Sequence, residues 1–378
     1  MTQPRRLRKD QTHTVCRRTT GRIFFLKPTP KTNQVLEYAL VLACSRHHPE
    51  VEVSGFASIS NHYHNNLRDR VGGAKSKVPK FFADFNSLVA RALNAQFGRG
   101  GALWDGGSYD NVEVHGYDAT IAQWVYVAGQ AVAAGLVERP EDWPGLTWLP
   151  EDIGTTKRVR RPDHAFFGST SRRDLSENPW VDLRAEVRAE ELSKRRAESD
   201  RKRGRTRKRR KQLAKERDRR EKRASESEPV NTSTLPEWVT YTIPAPEGLQ
   251  EMEIEDARVI LRQALDDYVA AIHEQRAREG LGFLGVARVM EQSPYEAAGD
   301  SWPSFGRNPR IACTGMPKAD RLKLYDELIQ WRLDHRKGVE QLREGSPWRA
   351  RFPRGAHRRT KELRRILAAR RQPPPLAA

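Results

Sequence analysis

Two histidines two residues apart, His62 and His64 in the stretch "SNHYH", open the question of what this chain can do chemically. Side chains on a strand alternate between faces, so His62 and His64 share one face while Tyr63 takes the other. Such a pair can hold one metal ion between them. It also fits hydrogen-bonded or surface histidines, and the spacing leaves both readings open. A second pattern lies some sixty residues on, where Gln123, Tyr126 and Gln130 interrupt an apolar surface of Ile121, Trp124, Val125, Ala128 and Val132. Residues three and four apart share a helix face, so the three form a polar stripe. The plain alternative is a tyrosine with its hydroxyl at the core edge beside two exposed glutamines.

The surrounding elements decide whether these residues can meet. His13 to Arg17 and Arg22 to Lys27 read as strands, and Asn33 to Ser45 reads as a helix with Asn33 as its cap. Val51 to Asp69 reads as two strands, "VEVSGFASIS" and "HYHNNLRD", turning at Ser60-Asn61. Pro79 to Phe97 is a helix opened by proline and closed by Gly98, and "LWDGGSYDNVEVHG" is a glycine-rich turn. Asp118 then caps a third helix that stops at Gly135. This alternation predicts a small antiparallel sheet with helices over one face, an α+β arrangement.

Composition limits the partners. The 378 residues carry 68 Lys+Arg against 49 Asp+Glu, a net charge of +19, which points to a polyanion. The longest uncharged apolar run, Ala131 to Val137, is far below the ~20 residues of a membrane span, so a soluble cytoplasmic protein is expected. Cys16, Cys44 and Cys313 are scattered and make no C-x-x-C pair, so neither a disulfide framework nor a thiolate zinc site is indicated. From Lys194 to Arg223 there are eighteen Lys/Arg and five Asp/Glu with almost no apolar stripe. That run is a linker. Within it Arg201, Lys202, Arg203, Arg205, Arg207, Lys208, Arg209, Arg210 and Lys211 suit phosphate contacts on nucleic acid, and a solvated spacer is the plain alternative. The chain therefore divides into residues 1–150, a basic helical or disordered linker 151–234, and a mainly helical region 235–378 with helices at Ile254 to Glu279 and Lys318 to Glu344 and a basic tail.

An H-x-H strand, "NHYH", followed by "YVAGQ" and then by "AGLVERPEDWPGLTW", resembles the single-tyrosine HUH transposases, and most nearly the REP-associated tyrosine transposases. The first strand "HTVCRR" matches as well, and the resemblance covers roughly residues 12–150. Two departures stand out. Gln130-Ala131 replaces the Asn-Pro usual in that family, which keeps a carbonyl oxygen, and Asn65-Asn66 replaces an aliphatic continuation. The replication-initiator branch would have lysine where Gly129 stands, and relaxases place tyrosine before the histidines.

The resemblance implies a ferredoxin-like HUH core in which Tyr126 attacks DNA to give a 5′-phosphotyrosine and a free 3′-hydroxyl. His62, His64 and Gln130 would hold a divalent metal, Mg²⁺ or Mn²⁺. It implies single-stranded or hairpin DNA as substrate, with Arg17, Arg18 and the basic run as DNA contacts, in a bacterial, nucleoid-associated setting. Relatives include monomers and homodimers that exchange the tyrosine helix. A non-catalytic or domesticated nucleic-acid-binding protein keeping the same fold is the second reading, which the intact Tyr126 disfavours.

Overall fold

The computed structural model describes residues 4–106, 109–164, 166–167, 235–299, 310–343 and 350–357. The basic residues Arg201 to Lys211 lie outside them.

The fold is α+β, built on a five-stranded sheet in the order β2-β3-β1-β4-β7. Its strands are β1 (Gln11–Arg18), β2 (Val51–Ile59), β3 (His62–Asp69), β4 (Asp110–Val114) and β7 (Ile311–Ala312). All neighbours are antiparallel except β4 and β7. β5 (Thr156–Arg160) and β6 (Trp238–Thr242) form a separate antiparallel pair. The helices are α1 (Pro30–His47), α2 (Val78–Gln96), α3 (Tyr117–Ala128), α4 (Gln130–Ala133), α5 (Ile254–Arg278), α6 (Val286–Glu291) and α7 (Lys318–Arg343).

One face of the sheet is aromatic and packs on α2. Tyr63 stacks on Phe56 at 5.7 Å, meets Phe85 edge-on at 5.2 Å and donates its hydroxyl to Asn86 Oδ1 at 2.9 Å. Burying the rings drives this contact, and the one polar tip is satisfied. The other face is polar. The register sets Arg18 opposite His62, Cys16 opposite His64 and Thr14 opposite Asn66, so period two lines these residues up on the side away from Tyr63. Helix α3 covers that side, so helices lie on both faces of the sheet and not on one as the pattern predicted.

Local expectations fail where chain neighbours do not decide the outcome. Arg22 to Lys27 is no strand: after a short turn, the Phe24 N–H goes to Glu296 O and the Leu26 N–H to Ser60 O. Two separate segments take the hydrogen bonds a strand partner would need. The α1 cap is Thr29, whose hydroxyl accepts from the Thr32 N–H at 3.1 Å, four residues before Asn33. Asp118 lies in the first turn of α3, and Gly116 at φ 89° holds the cap position. "DNVEV", inside the glycine-rich stretch expected to turn, is strand β4. From residue 235 the chain joins the first core: Val239, Tyr241, Ile243, Leu249, Leu261 and Leu265 are buried with it. The Tyr241 hydroxyl donates to Val53 O at 3.0 Å and accepts from the Val53 N–H at 2.8 Å, bridging β6 and β2 at the irregular register between Val53 and Gly55.

Candidate functional site

The site is assembled by two ties between sheet and helix. Asn66 accepts at Oδ1 from the Thr14 hydroxyl at 2.8 Å and donates from Nδ2 to Gln123 O at 3.1 Å. Trp124 donates its indole N–H to Ser54 O at 2.9 Å. Both ties fix α3 across β2 and β3, and two residues past Trp124 the tyrosine ring comes down over the histidines. Asn66, a departure from the aliphatic strand pattern, is thus one of the residues that place Tyr126. Asn65 lies on the opposite face, fully buried, and among the described residues its amide finds no hydrogen-bond partner.

The His64 ring meets Tyr126 edge to face at 5.4 Å between centroids, and His62 meets His64 at 5.0 Å. Gln130 opens α4 just after the chain breaks its helix at Gly129, and its buried amide donates from Nε2 to Tyr126 O at 3.1 Å. The same side chain interacts with the His62 imidazole and the Tyr126 hydroxyl. All four residues read from the sequence, His62, His64, Tyr126 and Gln130, therefore stand together. Arg18 joins them from the end of β1, its charge acting on both histidines and on the tyrosine. Arg17 does not: one residue earlier on the strand, it faces the aromatic side, with its guanidinium 5.6 Å from the Trp104 ring centroid.

Burial dominates the electrostatics. It lowers the His62 imidazole to about 4, with Arg18 adding to the shift and Gln130 opposing it. His64 is pushed further down, by burial first and then by His62 and Arg18. Both are neutral near pH 7, so their ring nitrogens have lone pairs to give. Burial and the neighbouring Cys16 raise the Tyr126 phenol above its ordinary value, while Gln130 and Arg18 pull it back.

The donor set fits a divalent ion. The Nδ1 of His64 is buried without a partner among the described residues. His62 Nδ1 lies 2.6 Å from Asn61 Oδ1, so it carries the proton and leaves Nε2 as the lone pair. With Nε2 of Gln130 committed to Tyr126 O, its carbonyl oxygen is the end that faces the His62 imidazole. Among the described residues no three His, Cys, Asp or Glu side chains gather, and the Gln130 amide is the neighbouring oxygen donor that the sequence offered beside the two histidines.

Two contributors were not visible in the sequence. Asn61 reads there as a turn residue, although its place beside the first histidine was a usable signal. Tyr268 of α5 comes from 142 positions beyond Tyr126 and nothing local announces it. A Cβ on Gly129 would lie 2.7 Å from the Tyr268 ring, so α5 packs directly on the break between α3 and α4. Gly129 sits at φ −86°, which alanine accepts, and alanine there would gain roughly 1 kcal/mol of helix propensity. The clash outweighs that gain: Gly129→Ala should destabilise the protein by about 1–3 kcal/mol in urea melts, and adding Tyr268→Ala should recover part of the loss beyond additivity. Additive losses would show that the two residues do not touch.

No protein-family model and no curated protein matches the chain. Among solved structures, a REP-associated tyrosine transposase bound to a REP hairpin is similar over 38% of this chain and 81% of its own, with a TM-score of 0.32 and 17% sequence identity. No helix among the described residues is long and apolar enough to cross a membrane.

Proposed function

We propose that the protein is a metal-dependent single-strand DNA endonuclease and strand transferase, acting on hairpin or palindromic DNA through Tyr126. The observation that carries this reading is the convergence of His62, His64, Tyr126 and Gln130, from a strand and a helix some sixty residues apart, into one cluster beside Arg18. The net charge of +19 supports a polyanionic substrate.

Tyr126 Oη forms a bond to the backbone phosphorus, the P–O3′ bond breaks, and the departing oxygen takes a proton to become a 3′-hydroxyl. The phenol proton passes to water. Because the phosphodiester energy is kept in the phosphotyrosine, a second 3′-hydroxyl can reverse the step and join strands without a nucleotide cofactor. His62, His64 and the Gln130 oxygen would hold Mg²⁺ or Mn²⁺, which when bound neutralises phosphate charge and orients the scissile group. Two neutral imidazoles alone would suit zinc, but a neutral amide and no thiolate argue against a tight structural zinc site. Asn61 fixes the His62 ring, Arg18 supplies a fixed positive charge at the phosphate, and the edge contact with His64 holds the phenol in place.

A nucleophile that must lose its proton has a signature. With the Tyr126 phenol raised above its ordinary value near 10, the reactive phenolate fraction grows tenfold per pH unit across the neutral range. Single-turnover adduct formation should therefore rise from pH 7 to 9 with a log slope approaching one, while the two histidines stay neutral throughout. A flat profile would mean that phenol deprotonation is not part of the limiting step.

A further inference from the structure

Outside the candidate site, the two-stranded sheet of β5 and β6 buries one face and leaves the other open. Strand alternation turns Val239 and Tyr241 inward, where each is 5% exposed, and sets Thr156, Arg158, Arg160, Trp238, Thr240 and Thr242 together on the outer face. All six are exposed. No other Phe, Trp or Tyr among the described residues is as exposed as Trp238, at 47%. We infer that this face is a docking site for single-stranded DNA, with one base stacked on the Trp238 indole and the flanking phosphates met by Arg158 and Arg160.

Stability of the hairpin does not call for an aromatic ring here. The inner side chains already anchor it, since Val239 and Tyr241 belong to the main core and the Tyr241 hydroxyl bonds the Val53 backbone. The indole is instead held ready. The Arg158 guanidinium lies 4.6 Å from the Trp238 ring centroid, which fixes the ring beside a cation, and among the described residues no carboxylate pairs with Arg158. Arg160 pairs with Glu237 at 3.1 Å, but the two side chains are 67% and 57% exposed, and a pair so open to water yields readily to a phosphate. Planar guanidinium forks match phosphate oxygens and also stack on rings. Thr240, opposite Arg158, adds a hydroxyl.

The chemistry of the face selects its occupant. A base offers its flat side to an indole only when it is out of the double-helical stack, so an aromatic ring on an open sheet face takes single strands, with little regard to sequence. Charge points the same way. Arg161, just past β5, donates its N–H to Glu237 O at 2.6 Å and its Nη1 to Leu235 O at 2.8 Å, so the chain leaving β5 is tied to the chain entering β6. In the sequence between them, Lys194 to Arg223 carry eighteen Lys/Arg against five Asp/Glu. Both ends of that basic segment start from this hairpin, which raises the local concentration of a polyanion at the face. A protein partner that used an exposed tryptophan would want apolar neighbours around it, and the other five outward side chains are arginines and threonines. The choice of DNA over RNA rests on the proposed function, whereas the stacking site itself does not.

The test uses the full chain without added metal. An oligothymidylate bearing iodouracil, cross-linked by near-ultraviolet light and mapped by peptide mass spectrometry, should attach to the peptide that contains Trp238, and a duplex of the same length should displace it less well than an unlabelled single strand. Trp238→Ala should weaken oligothymidylate binding by about 5- to 100-fold, and Trp238→Phe by less, since a smaller ring still stacks. Arg158→Gln should flatten the log–log salt slope by about 0.7, the signature of one phosphate contact. These side chains point outward, so the fold should survive, and the cross-link on the wild type keeps the test valid if a variant folds poorly. Unlabelled oligouridylate that displaces the probe better than oligothymidylate would overturn the assignment to DNA. Cross-links confined to other peptides, with none at Trp238, would overturn the site, and a Trp238→Ala change that instead splits a dimer in light scattering would give the face to a second copy of the chain. A protein that cross-links through Trp238 but forms no adduct through Tyr126 would sink the endonuclease reading and leave this stacking site standing.

Discussion

Tyr126→Phe should abolish the covalent protein–DNA adduct, lowering it by on the order of 10⁴-fold or more, while leaving DNA affinity within about twofold of wild type. The substitution deletes one oxygen and keeps the ring, so the edge contact with His64 at 5.4 Å remains and α3 stays tied by Trp124 and Asn66. What is lost is the atom that, on the proposed function, forms the new bond to phosphorus. Oligonucleotides carrying palindromic repeats identified by sequencing the gene's flanks, incubated with Mn²⁺ and run on denaturing gels, give the measurement. Tyr268 provides the control, because it is close enough for its hydroxyl to be affected by Tyr126. Burial raises the Tyr268 phenol to about 12, which makes it the poorer nucleophile. An adduct that survives in Tyr126→Phe and disappears in Tyr268→Phe would move the nucleophile to α5. Tight hairpin binding with no adduct in the wild type under any divalent ion would favour the non-catalytic reading.

The gathering of the candidate residues was legible because two short-range periodicities place them. Period two puts His62 and His64 on one face, and the helical three-and-four spacing puts Tyr126 and Gln130 together even though the helix breaks between them at Gly129. That break leaves the two side chains together: the Gln130 side-chain amide, not its backbone N–H, donates to Tyr126 O. What the sequence could not show is whatever depends on a distant partner. "DNVEV" carries too few apolar residues, among too many turn formers, to announce a strand, and it becomes β4 because β1 offers it a ladder from Thr12 to Cys16. "RIFFLK" has the composition of a strand and no free neighbour to pair with, so Phe25 and Leu26 are buried from an irregular loop. The helical periodicity of α5 was visible, but not its seat on Gly129, nor the reach of Tyr241 from β6 to the Val53 backbone of β2. Arg17 and Arg18 looked equivalent as adjacent basic residues. Strand alternation separates them, sending one to Trp104 and the other to the histidines.

His62→Ala or His64→Ala should each remove cleavage, and each should lower Mn²⁺ affinity to the limit of detection by calorimetry, a readout that does not depend on turnover. The fold should survive, since the ties that hold α3 to the sheet run through Asn66 and Trp124 and not through the histidines. His64→Ala is the cleaner of the two because the buried Nδ1 has no partner among the described residues to be orphaned by its removal. Asn61→Ala takes away the acceptor that orients the His62 ring, together with a long bond to Arg22 O at 3.3 Å, and the expected loss of metal affinity is about 10–100-fold, with cleavage recovering at high Mn²⁺. Position 130 separates ligand from packing. Gln130→Leu keeps most of the buried volume but offers no oxygen, and should be as inactive as the histidine variants. Gln130→Glu keeps an oxygen and adds a negative charge, so metal binding should tighten and cleavage persist. Without metal, the new carboxylate would push the Tyr126 phenol further up, because a like charge disfavours the phenolate. The pH profile of Gln130→Glu at limiting Mn²⁺ should therefore shift to higher pH than that of the wild type, and saturating Mn²⁺ should reverse the shift. Wild-type cleavage that continues undiminished in excess chelator would exclude the metal role outright, and His62 and His64 would then be neutral imidazoles that only position the tyrosine.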